Sequence, residues 1–210
     1  MWEFMQKGGP IMWPILLCSV FAFAIVIERL LRLRQEQIDT KSFMEQISKS
    51  IKRNKIMEAL DLCDRTGGPI ATILKAGILK HDRPRNEIRE AIEDACVHEV
   101  PRLERNLPVL ATVAHVAPLL GLLGTVTGLV QAFQVIESKA TLLNPVNPGD
   151  LAGGIWEALL TTVFGLCVAI PTYVAYNYLV SQVDNLVYDM ETSATDLVNL
   201  LSSRRDTYEV

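Results

Sequence analysis

Two apolar runs separated by a short breaker segment, together spanning residues 107–179, restrict the chain to very few architectures. From Leu107 to about Ile136 the clearly polar positions before Gln131 are Thr112, His115, Thr125 and Thr127. A run of that length exceeds the roughly 20 apolar residues that an α-helix needs to cross a bilayer. Asn144, Pro145, Asn147, Pro148 and Gly149 then break the pattern, and Asp150 stands where it could cap the first N–H groups of a new helix. The second run extends from Leu151 to about Leu179. Two long apolar helices joined by a tight turn lie antiparallel, so residues 107–136 and 151–179 read as a transmembrane hairpin around a loop at 137–150.

The N-terminus adds a third span. Residues 1–9 are nearly neutral, with Trp2, Phe4 and Trp13 suited to a membrane interface, and the chain is apolar from Pro10 to Leu31 apart from Glu28-Arg29. A signal peptide would carry positive charge before its apolar run and a small-residue cleavage site after it. Here the charge follows, which predicts a retained span at 10–31. Every Lys and Arg lies between Arg29 and Arg105 except Lys7, Lys139, Arg204 and Arg205. Cytoplasmic segments carry such an excess. Residues 32–106 are therefore expected inside, and residues 1–9 and 137–150 outside. Residues 180–210 are acidic (Asp184, Asp189, Glu191, Asp196) and are placed inside by counting crossings.

The 32–106 segment has helical spacing: Phe43, Ile47 and Ile51; Ile56, Ala59, Leu60 and Cys63; Ile70, Ile73, Leu74, Gly77 and Ile78. Gly67-Gly68-Pro69 and His81-Asp82-Arg83-Pro84 punctuate it. From Arg85 onward Ile88, Ile92 and Ala95 or Cys96 are expected to run on into the second span, with bends at Pro101 and Pro108. In the tail, Val183, Leu186, Met190, Ala194, Leu197 and Leu201 form a narrow seam. Two readings stay open: a helix folded back on its own cytoplasmic region, or one packing on copies of itself around an axis.

Half of the residues are hydrophobic and 21% are charged, with a net charge of −4 and no basic patch interleaved with aromatics. That composition excludes nucleic-acid binding. Cys18, Cys63, Cys96 and Cys167 have neither disulfide-framework nor metal-ligand spacing and read as free thiols. No metal or cofactor is expected. A membrane hydrolase is excluded as well, because Ser19 is the only serine and His115 the only histidine in any span.

The hairpin carries the informative residues. Ala117, Gly121, Gly124 or Thr125, Gly128 and Ala132 form one small-residue face; Gly154, Glu157 or Ala158, Thr161 or Thr162, Gly165 and Ala169 form another. Such faces let helix backbones approach closely in lipid. Packing alone would account for the glycines. Glu157 asks for more, since an unpaired acid in hydrocarbon costs at least about 2.5 kcal/mol and such residues face protein or water. At about 1.5 Å per residue, Thr125 lies roughly 16 Å below the outer end of its helix and Thr162 about as far below Leu151. A lone threonine can satisfy itself on the preceding turn's carbonyl. A cluster of Thr125, Thr127, Thr161 and Thr162 near Glu157 instead suggests a hydrated pore lining.

At these residues the chain resembles the proton-channel family of MotA, TolQ and ExbB, closest to ExbB and TolQ. Pro118, Gly121-Leu122-Leu123-Gly124-Thr125-Val126 and Gly128 match in order and spacing. So do Gly154-Ile155, Glu157-Ala158-Leu159-Leu160, Thr162, Gly165-Leu166 and Ala169-Ile170-Pro171, together with Glu28-Arg29. The resemblance implies an all-α, integral membrane protein of three transmembrane helices with long helices extending into the cytoplasm. It implies a homo-oligomeric ring, commonly a pentamer, in the bacterial inner membrane, with the N-terminus periplasmic and the C-terminus cytoplasmic. Such a ring surrounds a dimeric ExbD- or TolR-like single-span partner whose membrane aspartate carries the ion. Ion flow then drives movement of partner against ring and, through a TonB- or TolA-like protein, work at the outer membrane. By position, Thr125 and Thr162 would line the ion path and Glu157 would be the family's membrane glutamate. Gly121, Gly124, Gly128, Gly154, Gly165 and Ala169 would pack helices or face the partner. Thr161 is an extra hydroxyl that leaves sodium beside the proton as the ion, and His115 has no assigned role. The competing reading is a passive three-span scaffold.

Overall fold

The computed structural model describes residues 8–36, 38–139 and 148–208, and every regular element among them is an α-helix. In chain order these are α1 (Met12–Glu36), α2 (Thr40–Lys52), α3 (Ile56–Thr66), α4 (Gly68–Leu79), α5 (Arg85–Glu104), α6 (Leu107–Lys139) and α7 (Pro148–Tyr208). Trp2, Phe4, Lys7 and the loop from Ala140 to Asn147 lie outside the described residues. The helix expected to follow Asp150 begins at Pro148, so Asp150 stands in its first turn rather than ahead of it. Proline's fixed φ and missing N–H suit a first helical position.

The chain divides into two compact units. The first comprises residues 1–29 and 106–178, the second residues 30–105 and 179–210.

The second unit is built around α4, whose Ile70, Ile73, Leu74 and Ile78 are buried. Phe43, Ile47 and Ile51 of α2, Ala59 and Cys63 of α3, and Ile88 and Ile92 of α5 complete this core. Asp39 caps α2 by accepting a hydrogen bond from the Ser42 N–H at 3.2 Å. Gly67 and Gly68 turn the chain between α3 and α4 at φ 65° and 81°, where an L side chain would be strained. The tail seam resolves in favour of folding back. Val183, Leu186, Met190, Leu197 and Leu201 are buried, Leu197 presses on Gly77 beside Ile92, and Arg85 donates to Asn199 at 2.9 Å. Burial pushes the Cys63 thiol up to about 11, helped by the neighbouring Asp64 charge, so at neutral pH it is an unreactive core residue.

The passage from α5 to α6 differs from the expected bends. Pro101 sits inside α5 and Pro108 in the first turn of α6. The helix breaks instead at Asn106, which adopts φ 66°, a left-handed conformation that asparagine tolerates better than most residues. Asn106 also donates to Glu28 of α1 at 3.0 Å.

In the first unit, α1 buries Met12, Ile15 and Ala22 along one stripe and leaves Trp13, Leu17, Val20 and Phe21 exposed. Leu119, Leu122 and Phe133 of α6 and Leu159, Val163 and Ile170 of α7 are likewise exposed. Apolar surface of that extent suits lipid or partner contact. Among the described residues, three helices are long and apolar enough to cross a membrane.

Candidate functional site

The α6–α7 hairpin is sealed by small residues. A Cβ built on Gly128 would lie 2.5 Å from the Gly154 carbonyl oxygen, and one on Gly154 would lie 2.5 Å from that of Gly128. A Cβ on Gly165 would meet the Ala117 oxygen at 2.8 Å, and one on Gly121 the Thr162 Cα at 3.1 Å. At Gly124 the Thr161 side chain fills the space that a Cβ would need. Partners fall along one helix as they rise along the other, as an antiparallel pair requires. Ala117, Ala132 and Ala158 are buried at the same seam, and Ala169 is buried farther along α7. The small-residue faces of the two helices thus meet each other within one chain. Along this seam the two backbones are in close contact.

The four threonines separate under this packing. Thr161 is fully buried in the seam, and its hydroxyl donates to the Glu157 and Ala158 carbonyls at 3.0 and 2.9 Å. Thr127 donates to the Leu123 and Gly124 carbonyls, both at 3.1 Å. Thr125, half-buried, donates to the Leu122 carbonyl at 2.6 Å. Thr162, also half-buried, shares its proton between Ala158 at 3.2 Å and Gly121, across the hairpin, at 3.3 Å. Every hydroxyl proton is committed to a backbone carbonyl, so what Thr125 and Thr162 offer outward is oxygen lone pairs. Those lone pairs can accept from water, from a hydrated proton or from a protonated acid.

Rotation about the helix axes sorts the remaining residues. Successive residues turn by about 100°, which puts Tyr173 about 20° and Glu157 about 140° from Thr162. In the antiparallel hairpin, Thr125 and Thr162 flank the seam on one and the same side. On the other side lies α1: Ser19, Ala22 and Val26 border a small cavity of about 190 Å³ with Cys167, Pro171 and Thr172 of α7, and Pro171 is about 180° from Thr162. Glu157 belongs to the α1 side. Its carboxylate abuts Gly9, which adopts φ 68° just ahead of α1, and with Gln131 and Trp156 it borders a cavity of about 760 Å³. The structure puts Thr125 and Thr162 on one side of the seam, with Thr162 level with Gly121 and Thr125 one turn farther along α6, and sets Glu157 on the other side.

One pair on the open side had no assigned role in the sequence. The His115 and Tyr173 rings meet edge to face, with centroids 6.4 Å apart and planes at 89°. The spacing of eleven residues from Thr162 to Tyr173 was the available signal. Among the described residues no cluster of His, Cys, Asp or Glu has the makings of a metal site, and all four cysteines are free.

These features define an α-helical, multi-span membrane protein in which α1 backs a sealed hairpin and hydroxyls flank the hairpin's open side. The chain belongs to the MotA/TolQ/ExbB proton channel family, whose profile matches residues 65–192, more than half of its length. It is 34% identical over 172 residues to a biopolymer transport protein ExbB-like 3 of Synechocystis, covering 82% of this chain and 81% of that one. It is 31% identical over 197 residues to the Tol-Pal system protein TolQ of Haemophilus influenzae, covering 87% and 83%. An ExbB homolog of Methanothermobacter thermautotrophicus is 29% identical over 190 residues, which is 90% of this chain and 66% of that one.

Proposed function

We propose that the chain is the ring-forming subunit of an ion-driven machine in the bacterial inner membrane, working with an ExbD- or TolR-like single-span partner. The observation that carries this reading is the asymmetry of the hairpin. One side is backed by α1, and the other, which bears the Thr125 and Thr162 hydroxyls, is open. In a ring with α1 outermost, the open sides converge on a central path, with carbonyl-anchored hydroxyls at mid-depth. An ion carrier is still needed, because Thr125 and Thr162 do not titrate near neutral pH. Glu157 stands on the opposite side, five residues or roughly 8 Å outward of Thr162 by the helical rise, and borders the cavity with Gln131 and Trp156, so in this reading it serves that outer cavity rather than the level of Thr162. The carrier is then a carboxylate on the partner, received against the open side. The machine uses the proton, with sodium the alternative ion, to drive biopolymer transport or outer-membrane integrity.

The test is proton flux in vesicles. Rings of this chain alone are expected to conduct little, and conductance should appear with the co-expressed partner and vanish when its membrane aspartate becomes asparagine. A passive scaffold conducts in neither case. Selective conductance from the lone ring, abolished by Glu157→Gln, would instead put the carrier in this chain.

Orientation has its own expected result. Gly149 is exposed at the start of α7, where a side chain meets nothing, and Met57 of α3 is 77% exposed. An impermeant thiol reagent should modify Gly149→Cys on intact cells, and Met57→Cys only after permeabilisation, above the background of the native cysteines. The opposite pattern would invert the topology. Ser50, although on the same expected side as Met57, is buried and makes a poor probe.

A further inference from the structure

We propose that His115 is a proton-binding residue at the inner mouth of the path, held in position by Tyr173. The inference rests on the channel reading above and adds a site to it. His115 is the only residue of α6 between Leu107 and Ile136 that can titrate near neutral pH. It lies on the hairpin's open side, about 15 Å inward of Thr125 by the helical rise, and its side chain is exposed. An ionisable group at such a place in a span is costly unless it faces water or protein.

The local chemistry gives the ring a direction. His115 Nδ1 lies 2.7 Å from the Ala111 carbonyl oxygen. A carbonyl can only accept, so Nδ1 carries the hydrogen and donates it, and in the neutral ring Nε2 is left with a free lone pair. Tyr173 packs against the imidazole edge to face at 6.4 Å, a geometry favourable for aromatic pairs, and fixes its orientation. Because Tyr173 follows Thr162 by three turns on nearly the same line of α7, the pair sits directly inward of the mid-depth hydroxyls. A proton arriving through path water adds to Nε2 and makes the imidazolium. It then leaves from the same nitrogen to water on the inner side, while Nδ1–H stays on Ala111.

Few ionisable groups stand near His115. On α7 the ionisable residues at this level are Tyr173 and Tyr176. From α1, on the far side of the hairpin, come Glu28 and Arg29; Glu28 accepts from Asn106, about 13 Å along α6 from His115, and Arg29 is buried.

The experiment uses the ring with its partner in vesicles, at fixed membrane potential, with the pH on the inner-mouth side varied from about 5.5 to 8 across the histidine range. Wild-type flux should show an inflection in that window. His115→Gln and His115→Asn, checked for unchanged ring size, should lose flux by about tenfold or more, as removal of a positioned proton-transfer group does, and lose the inflection. Tyr173→Phe, which keeps the ring contact, should behave like wild type, and Tyr173→Ala should shift the inflection. Flux within twofold of wild type in both histidine variants, with the same profile, overturns the proposal and makes His115 a residue facing lipid or a neighbour. A wild-type profile without an inflection overturns it even if both variants fail to assemble. Absence of any wild-type flux defeats the channel reading itself, a distinct outcome that takes the His115 assignment with it.

Discussion

The double variant Thr125→Val, Thr162→Val is expected to assemble into rings of normal size and to lose ion-driven flux by roughly tenfold to a hundredfold. Valine keeps the threonine shape. Each hydroxyl donates to backbone carbonyls of its own or the facing helix, and carbonyls within a helix retain their helical partners when that extra donor is removed. The stability change should therefore stay near or below about 1 kcal/mol. What disappears is a pair of outward lone pairs on the side of the hairpin proposed to line the path. A hydrogen bond to a charged group is worth about 1.5–3 kcal/mol, which corresponds to a factor of roughly ten to a hundred in rate. Thr161→Val is the matched control, since its hydroxyl is fully buried in the seam against Gly124 and should leave flux nearly untouched. Full activity in the double variant, or an equal loss in Thr161→Val, would show that the lining lies elsewhere.

Thr161 illustrates how far the amino-acid pattern could be read. The three spans were legible because run length against bilayer thickness is a one-dimensional question, and Leu107 to Ile136 answers it without any tertiary information. The small-residue faces were legible as faces, because spacing by three and four is visible in the chain. What covered them was not: spacing states which residues share a side and is silent about the surface opposite. The structure supplies that, with Gly128 against Gly154 and Gly124 against Thr161. Glu157 marks a different limit. Its depth followed from the rise per residue, but depth ignores rotation, and about 140° of rotation from Thr162 places it with Gly9 on the α1 side. The break before α6 escaped for a third reason. Two prolines drew the expected bends, yet Pro108 fits the first turn of its helix and Pro101 is carried inside α5, and the left-handed residue was Asn106, held by a hydrogen bond to Glu28, distant in sequence.

The same seam yields the largest expected effect on folding. Helices in lipid gain little from hydrophobic burial against one another, so their association depends on close packing of backbones and small side chains. At Gly128 and Gly154 that packing leaves no slack: a Cβ on either glycine would fall 2.5 Å from the other's carbonyl oxygen, inside any ordinary contact. The obstacle is backbone on both sides, and backbone cannot swing aside as the end of a flexible side chain can. Gly128→Ala should therefore cost about 1–3 kcal/mol, the usual range for overpacking. At about 2–4 °C per kcal/mol for a chain of this size, it should lower the melting temperature by several degrees. Gly128→Leu and Gly154→Leu should prevent closure of the hairpin, with loss of the ring on size-exclusion chromatography and rapid degradation in the cell. Gly153→Leu is the control, since the adjacent glycine's Cβ would meet nothing within 4 Å and the variant should assemble normally. If Gly128→Leu melts and assembles like the parent, the two helices are not held by this contact. The common side of Thr125 and Thr162, which depends on the hairpin's register, would then have to be redrawn.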